Sequence, residues 1–336
     1  MGYNNLIMDY DFVAIGDIVT DAFIRLKEAS VHCSVDKENC EICMRFADKI
    51  PYEDVYVVPA VGNSANAAVA ASRLGLKTGL VANIGDDFQG KECISALTRN
   101  GVSTEFVKTH IGIKTNYHYV LWYEDDRTIL IKHEAYDYAL PEINSPKWIY
   151  LSSLGGNGAT FHKTIEQYLD VHPDVKLAFQ PGTFQIKMGH EALKKIYNRT
   201  EVFFCNKEEA QRILKTDEHD IKTLLQKIHA LGPKVVSITD GPDGAYARDY
   251  DGKVWRTVKY PDPKPPYERT GAGDAFSATF AVALAHGLPV SEALRWGPIN
   301  SMSVVQYVGA QEGLLTRAQI EEYLKSAPDY YVPKQI

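Results

Sequence analysis

The sequence predicts an α/β fold, in which a doubly wound, mostly parallel sheet is flanked by helices and carries a small antiparallel β lid. Residues 11–16 form a short apolar run that ends in a glycine, as buried strands of parallel sheets often do. Strand-like and helix-like segments then alternate along much of the chain. Two stretches, at approximately 18–60 and 111–135, lack this alternation, and we assign them to the lid.

The individual elements follow from local patterns. An Ala-rich helix is expected at 66–74 because Gly75 suits a helix C-terminus. A strand at 77–84 and a helix at about 90–100 follow, and the extended segments 115–123 and 128–133 resemble a hairpin. Further predicted strands are 148–151, 176–179, 202–205 and 235–239, and further predicted helices are 160–171, 191–197 and 221–231. From Asp274 onward the chain is expected to be helical.

Composition limits the classes of function. The 336 residues are 45% hydrophobic and 24% charged, which suits one large domain spanning residues 1–336. A net charge of −7 gives no electrostatic basis for binding nucleic acid or an anionic membrane. The sequence shows no signal peptide and no apolar run of about 18 residues, so a soluble cytoplasmic protein is expected.

The cysteines suggest one metal-site hypothesis. Five cysteines do not make a disulfide scaffold, but Cys33, Cys40 and Cys43 cluster near His32. Cys40 and Cys43 form a C-x-x-C pair, and the other two residues can complete a zinc site. Reduced thiols in a surface excursion are the alternative.

The segment 270–280 carries the strongest chemical signal. Gly271 and Gly273 allow close backbone approach to a ligand, and the apolar run that follows is helical. Gly271, Ala272 and Gly273 therefore lie at a helix N-terminus, where unpaired N–H groups favour an anion. Asp274 lies beside that anion, as a base for phosphoryl transfer to an alcohol must. The structural alternative is an acidic residue that stabilises the helix dipole.

Several motifs together resemble the ribokinase-like, or PfkB, carbohydrate kinase family. The sequence Thr-Gly-Ala-Gly-Asp-Ala-Phe from Thr270 resembles the family's C-terminal signature. The segments 62–66 and 84–90, and an N-x-x-E motif at Asn206, resemble other family segments and occur in the expected order. The resemblance covers essentially the whole chain. It implies an ATP-dependent sugar kinase with Asp274 as catalytic base and Gly271–Gly273 as anion hole.

The resemblance also implies residues for the nucleotide and the metal ion. Asn206 and Glu209 would hold Mg²⁺ and phosphate through water, although an Asn helix cap followed by glutamates is the structural alternative. Thr239, Gly241 and Gly244 resemble a turn that contacts ATP. Asn300 would border the adenine unless it is a helical Asn facing solvent. The family also allows a monovalent cation.

On the acceptor side, the resemblance implies an acidic residue that binds sugar hydroxyls. Asp21 fits the family spacing best, and Asp17 is the rival that can instead shape a turn. A carboxylate accepts several hydroxyl hydrogen bonds, which suits a polyol. Gly62, Asn63 and Asn66 would line the same pocket.

The acceptor itself remains open. A nucleoside kinase is the first alternative, since aromatic residues of the predicted hairpin can stack a base. A sugar-phosphate kinase would need cations such as Lys114, Arg127 and Lys132, and a regulator that binds sugar or nucleotide without catalysis is a third alternative. By resemblance, lid strands of two subunits can pair, which implies a homodimer.

Overall fold

The computed structural model describes residues 10–33, 40–124 and 126–336. The strands in these ranges are β1 (Phe12–Ile15), β2 (Val19–Leu26), β3 (Ser30–Cys33), β4 (Cys40–Cys43), β5 (Tyr52–Val61), β6 (Thr78–Gly85), β7 (Val107–His110), β8 (Tyr117–Tyr123), β9 (Asp126–Leu130), β10 (Trp148–Leu151), β11 (Lys176–Phe179), β12 (Thr200–Asn206), β13 (Val235–Thr239), β14 (Ala245–Arg248), β15 (Val254–Thr257) and β16 (Lys334–Gln335). The helices are α1 (Asn63–Arg73), α2 (Phe88–Arg99), α3 (Ala159–Val171), α4 (Thr183–Met188), α5 (Lys194–Arg199), α6 (Lys207–Leu214), α7 (Ile221–His229), α8 (Ala272–Ala285), α9 (Val290–Val304) and α10 (Arg317–Lys325), with a 3₁₀ turn at Gly241–Asp243.

The predicted doubly wound sheet is confirmed. Its strand order in the described ranges is β16-β15-β14-β13-β12-β11-β10-β1-β6-β7, and it is parallel from β13 to β7. The strands β14, β15 and β16 are antiparallel and extend one edge. These three strands were not predicted from the sequence. We placed no strand between 245 and 257 and expected only helices after Asp274.

The core lies on both faces of the central sheet. Alternate residues of β1 point in opposite directions, as the period of two requires. Phe12 and Ala14 join one apolar cluster with α1, α8 and α9, whereas Val13 and Ile15 join a second cluster with α3 and α7. Parallel strands covered on both faces are apolar at every position, which explains the continuous apolar runs in the sequence.

Helix α8 crosses the first of these clusters and directs its N-terminus towards the carboxyl edge of the sheet. Its residues from Ala275 to Leu284 are all buried, so it is a core helix with no polar face. None of the helices among the described residues is both long and apolar enough to span a membrane.

A second sheet, which we call the small sheet, consists of β5, β2, β8 and β9 in that order. The pairs β2–β5 and β8–β9 are antiparallel, but β2 and β8 are parallel, so the expected antiparallel lid is a mixed sheet. Residues Asp21, His118 and Ile129 lie on its inner face and line a cavity. Ala22 and Tyr119 alternate with them and lie on the outer face.

The zinc hypothesis is wrong for the residues that the structure describes. Cys33 and Cys40 form a disulfide across the β3–β4 hairpin, so neither thiolate is free to bind a metal ion. Cys43 is a separate free thiol. Among the described residues, no group of three or more His, Cys, Asp or Glu side chains is arranged to hold a metal ion.

Candidate active site

Asp274 lies in the first turn of α8, and three side-chain amides donate hydrogen bonds to its carboxylate. Asn63 Nδ2 and Gln180 Nε2 are each 3.0 Å from Oδ1, and Asn66 Nδ2 is 2.8 Å from Oδ2. Side chains from α1 and from the end of β11 therefore bind the one carboxylate that α8 carries. The side chain faces a cavity, as its predicted role requires.

The amides around Asp274 are themselves held in place. The amide oxygen of Gln180 accepts a hydrogen bond of 2.6 Å from Tyr150 Oη. The amide oxygen of Asn66 accepts one of 3.0 Å from Gln311 Nε2. Because each oxygen has its own donor, each NH₂ group points to the carboxylate.

The environment of Asp274 shifts its proton affinity. Burial raises the pKa of Asp274 above its ordinary value, while hydrogen bonds from Asn66, Gln180 and Asn63 and the charge of Arg127 oppose that rise. A carboxylate with a raised pKa is a stronger proton acceptor once it is ionised.

The turn before Asp274 has the geometry predicted for an anion hole. Gly271 caps α8 in the left-handed conformation, with φ 83°, and a Cβ there would lie 2.3 Å from Ala310 Cβ. Both the backbone angle and the close approach require glycine. Ala272 and Gly273 follow in the first turn, where helical N–H groups have no partner within the helix. A Cβ at Gly273 would meet nothing within 4 Å, so this part of the turn is open to the cavity.

The cavity in front of Asp274, which we call the polar cavity, has a volume of about 420 Å³ and a lining that is somewhat more polar than apolar. Asp17 is one of its buried residues. His133 Nδ1 lies 3.0 Å from Asp17 Oδ2, and Tyr138 Oη donates to Oδ1 at 2.8 Å. These contacts fix the orientation of the Asp17 carboxylate in the cavity.

Asp21 lies in the same cavity, so the structure brings both predicted acidic candidates together. Its Oδ1 is 3.4 Å from His118 Nδ1 and has no hydrogen-bond partner among the described residues. Gly62, which also lines the cavity, has φ 106° and precedes α1. A Cβ at Gly62 would lie 2.9 Å from the Asp17 carbonyl oxygen. The predicted acceptor residues Asn63 and Asn66 line the cavity as well.

A second cavity, of about 350 Å³, adjoins the first one. Its lining is mostly apolar and includes Pro298, Met302 and Val305. Both cavities share Thr239, Arg269, Ala272, Gly273 and Phe276. The turn that begins α8 therefore separates a polar compartment from an apolar one, and Gly241 and Gly244 lie on the apolar side.

Asn206 and Glu209 line the polar cavity and also form the capping box of α6. Glu209 N donates to Asn206 Oδ1 at 2.7 Å, and Asn206 N donates to Glu209 Oε2 at 2.9 Å. The helix cap that was the structural alternative for Asn206 and Glu209 is therefore present, and both residues line the polar cavity as well. Burial raises the pKa of Glu209, opposed by the backbone hydrogen bond from Asn206.

The prediction for Asn300 needs correction. Asn300 is fully buried in α9. Its Nδ2 donates to Thr279 Oγ1 at 2.7 Å, and its Oδ1 accepts from Leu315 N at 2.9 Å. With both amide atoms used inside the protein, Asn300 joins α9 to α8 and to the segment before α10, and it does not line the apolar cavity.

Sequence reasoning missed several residues of the polar cavity. Gln180 immediately follows the predicted strand 176–179, so its position at a carboxyl strand end was the available signal. His133 and Phe184 also line the cavity, and Tyr138 holds Asp17. No motif marked these three residues, because they enter from segments without regular secondary structure or from the short helix α4.

Comparisons with known proteins show which family and which relatives this chain is similar to. The family described as "pfkB family carbohydrate kinase" matches residues 30–317. The ribokinase of Bacillus subtilis is 29% identical over 277 residues, which cover 78% of this chain and 87% of the relative. The 5-dehydro-2-deoxygluconokinase of Geobacillus thermodenitrificans is 26% identical over 287 residues, covering 79% of this chain and 83% of the relative.

The fold is similar to that of a solved ribokinase. The structure of Arabidopsis thaliana ribokinase complexed with ribose and ATP superposes with a TM-score of 0.76 and 22% identity, and the match covers 95% of this chain and 99% of that chain. The ribokinase-like fold and the resemblance drawn from the sequence motifs are thereby confirmed. Because the family match spans most of the sequence and the carboxylate and glycine turn of its signature meet in one cavity, this chain belongs to the pfkB family of carbohydrate kinases.

Proposed function

We propose that this protein transfers the γ-phosphate of ATP to an alcohol group of a sugar. The observation that carries the proposal is the position of Asp274 and the Gly271–Gly273 turn between a polar and an apolar cavity. A sugar suits the first cavity and a nucleotide base the second. The relatives named ribokinase and 5-dehydro-2-deoxygluconokinase support this class of acceptor.

In the proposed reaction, Asp274 accepts the proton of the acceptor hydroxyl as that oxygen forms a bond to the γ-phosphorus. The bond from the γ-phosphorus to the bridging oxygen breaks, and ADP leaves with that electron pair. The N–H groups of Gly271, Ala272 and Gly273 stabilise the charge on the transferred group. The three amides on Asp274 hold its carboxylate in the orientation that proton transfer needs.

The proposed function includes Mg²⁺ and a monovalent cation, and particular side chains are suitable ligands for each. Mg²⁺ takes oxygen ligands and usually keeps several waters, which suits the cavity-lining carboxylate Glu209 and amide Asn206. Mg²⁺ would supply charge neutralisation for the phosphates. For a monovalent cation, the buried Glu268 is suitable, since its Oε2 has no hydrogen-bond partner among the described residues.

The small sheet is proposed as the lid of the acceptor cavity, and a second copy of the chain as its partner. Val57, Ala22, Tyr119 and Leu130 form a row across the outer face of its four strands. Three of these apolar side chains are about half exposed, at 54% for Val57, 49% for Tyr119 and 51% for Leu130. Exposed apolar patches of this kind are typical of protein interfaces.

The nucleoside alternative rests on aromatic residues near the acceptor. The tyrosines and tryptophan of the predicted hairpin do not line the polar cavity, but Phe184 and His133 do, with ring centroids 5.5 Å apart. These rings offer one aromatic wall for a base. The sugar-phosphate alternative rests on Arg127, which lines the same cavity. Retention of Asp274 at the cavity speaks against a non-catalytic regulator.

An acceptor screen tests the proposed function. Purified protein with Mg-ATP is incubated with ribose, 5-dehydro-2-deoxygluconate, further free sugars, sugar phosphates and nucleosides, and ADP release is measured. We expect turnover of a sugar, and a fall in kcat of about 10²-fold or more for Asp274→Asn, because the general base is lost. ATP affinity should change little. An Asp274→Asn variant within tenfold of the parent would show that Asp274 is not the base.

A further inference from the structure

Arg127 is a cation that the small sheet carries into the polar cavity. It lies on β9 and pairs with Trp122 of β8, two positions from the pair between Ile129 and Val120. Residues two apart on a strand share a face, and both Arg127 and Ile129 line the cavity. The side chain is 29% exposed, so part of it is accessible from the cavity.

The guanidinium group is only partly satisfied by the protein. Its Nη1 donates to Asp126 Oδ1 at 3.2 Å. Its Nε is buried and has no hydrogen-bond partner among the described residues, and Glu268 Oε1, at 3.9 Å, is too far away to accept one. A buried donor without an acceptor costs free energy, so an acceptor atom of a ligand would stabilise this arrangement.

Arg127 lies near Glu268 and shares the polar cavity with Asp274, and these two carboxylates flank the turn at 271–273 in sequence. Glu268 Oε1 accepts hydrogen bonds from Thr270 N at 2.8 Å and Thr270 Oγ1 at 2.6 Å, which fixes it beside the start of the turn. Asp274 stands directly after the turn, and the positive charge of Arg127 lowers the pKa of this carboxyl. Arg127 therefore lies in the same cavity as residues 271–273 and close to Glu268, which is bound to the start of the turn.

The small sheet is fixed to the same segment by contacts outside the cavity. Trp122 packs edge-on against Tyr267, with ring centroids 5.0 Å apart, and Arg25 Nη1 donates to Tyr267 Oη at 2.8 Å. Tyr267 precedes Glu268 in the sequence. The same short segment therefore contacts the small sheet through Tyr267 and lies near Arg127 through Glu268. These contacts position the guanidinium before any ligand binds.

We propose that Arg127 is a catalytic residue that donates hydrogen bonds to the γ-phosphoryl group during its transfer. This inference rests on the proposed function. A guanidinium group presents a planar fork of donors that matches phosphate oxygens, and it stays protonated throughout the reaction. Arg127 would face the phosphoryl oxygens from the small sheet while the amides of 271–273 face them from α8. Its charge also offsets the repulsion between the phosphoryl group and the carboxylates Glu268 and Asp274.

The test compares Arg127→Met, which removes the charge at similar length, with Arg127→Lys, which keeps the charge but loses the fork. The matched control is Lys132→Met, because Lys132 follows β9, is 70% exposed and pairs with Glu134 at 2.8 Å outside the cavity lining. We expect kcat to fall about 10²-fold in Arg127→Met, the size of effect seen when one transition-state donor is removed. The KM of the acceptor should stay within threefold, Arg127→Lys should recover part of the loss, and the control should match the parent.

A binding measurement separates phosphoryl contact from a structural role. Mg-ADP with aluminium fluoride and the acceptor imitates the transferring phosphoryl group, and its dissociation constant is compared with that of Mg-ATP. We expect Arg127→Met to weaken the aluminium fluoride complex by about the same factor as kcat, with ATP affinity changed far less, since the interaction belongs to the transition state. An equal loss for both ligands, or a lower melting temperature of the variant, would assign Arg127 a structural role.

Two further outcomes contradict the inference. Parental kcat in Arg127→Met excludes the contact while leaving the kinase function intact. An increase confined to the KM of acidic acceptors would assign Arg127 to a carboxylate or phosphate of the acceptor. A parent protein that turns over no acceptor in the screen contradicts the proposed function itself, and this result is obtained before any variant is compared.

Discussion

The carboxylate of Asp274 is subject to two opposing influences. Exclusion of water by the surrounding protein favours its protonated form, and the amides of Asn66, Gln180 and Asn63 favour its ionised form. The first influence is larger, so the pKa is raised. Since the folded-state pKa exceeds the unfolded value of about 3.9, ionisation of Asp274 opposes folding. This cost is fully present above the folded-state pKa, decreases as the pH falls through it, and is absent below the unfolded value.

The raised pKa predicts an acidic limb in the pH profile. kcat/KM should fall as the pH decreases through the pKa of Asp274, at a higher pH than an ordinary aspartate would give. In Asn66→Ala the limb should move to still higher pH, because a hydrogen bond to the ionised form is lost. The measurement is kcat/KM over a pH series with saturating Mg-ATP. Identical limbs in the parent and Asn66→Ala would contradict this account of the base.

For some residues, the residue type and sequence motif predicted a role that the structure does not support. Asn300 was expected at the adenine because of the family resemblance, yet its amide joins three segments of the core. Cys33 and Cys40 have the residue types of a zinc site, but their pairing across a hairpin makes a disulfide. In both cases the contacts of the side chain, which depend on its neighbours in space, decide its role.

At the scale of elements, the parallel strands were the most predictable part of the fold. The strands at 148–151, 176–179 and 235–239 are confirmed to the residue. They are buried on both faces, so their apolar runs are continuous and bounded by turns. The strands β14 and β15 were missed because they lie near the sheet edge, where side chains such as Arg248 and Arg256 interrupt the pattern.

The start of α6 carries an observed capping box and, in the proposed function, a ligand of Mg²⁺, and one substitution can separate the two. A glutamine at position 209 preserves the capping box, since its amide oxygen can accept the Asn206 N–H, but it removes the negative charge. We expect Glu209→Gln to keep the melting temperature of the parent and to need a higher Mg²⁺ concentration for half-maximal activity. The measurements are thermal unfolding and a Mg²⁺ titration of kcat.

The control for this substitution is Thr316→Ala, which removes a capping box remote from the cavities, in α10. It should lower stability by about 1 kcal/mol and leave the Mg²⁺ dependence unchanged. An unchanged Mg²⁺ requirement in Glu209→Gln would limit Glu209 to its capping role.

At the scale of the whole molecule, the outer face of the small sheet predicts self-association. An aspartate in place of Val57 or Tyr119 would put a charge into the apolar row and should convert a dimer into monomers. Val171→Asp is the control, because Val171 is also exposed, at 72%, but lies at the end of α3 on another part of the surface. Sedimentation velocity gives the mass of each variant. A parent protein that is monomeric at micromolar concentration would contradict the proposed dimer.

The sequence by itself determined the alternation of strands and helices and the glycine turn at 271–273 that begins a helix, because these depend on local periodicity and on backbone freedom at particular positions. Only the tertiary structure decided which distant side chains meet. Gln180, His133 and Arg127 reach one cavity with Asp274 through contacts between residues far apart in sequence. Such contacts depend on how the small sheet packs on the central one, and the packing geometry leaves no periodic signal in the chain.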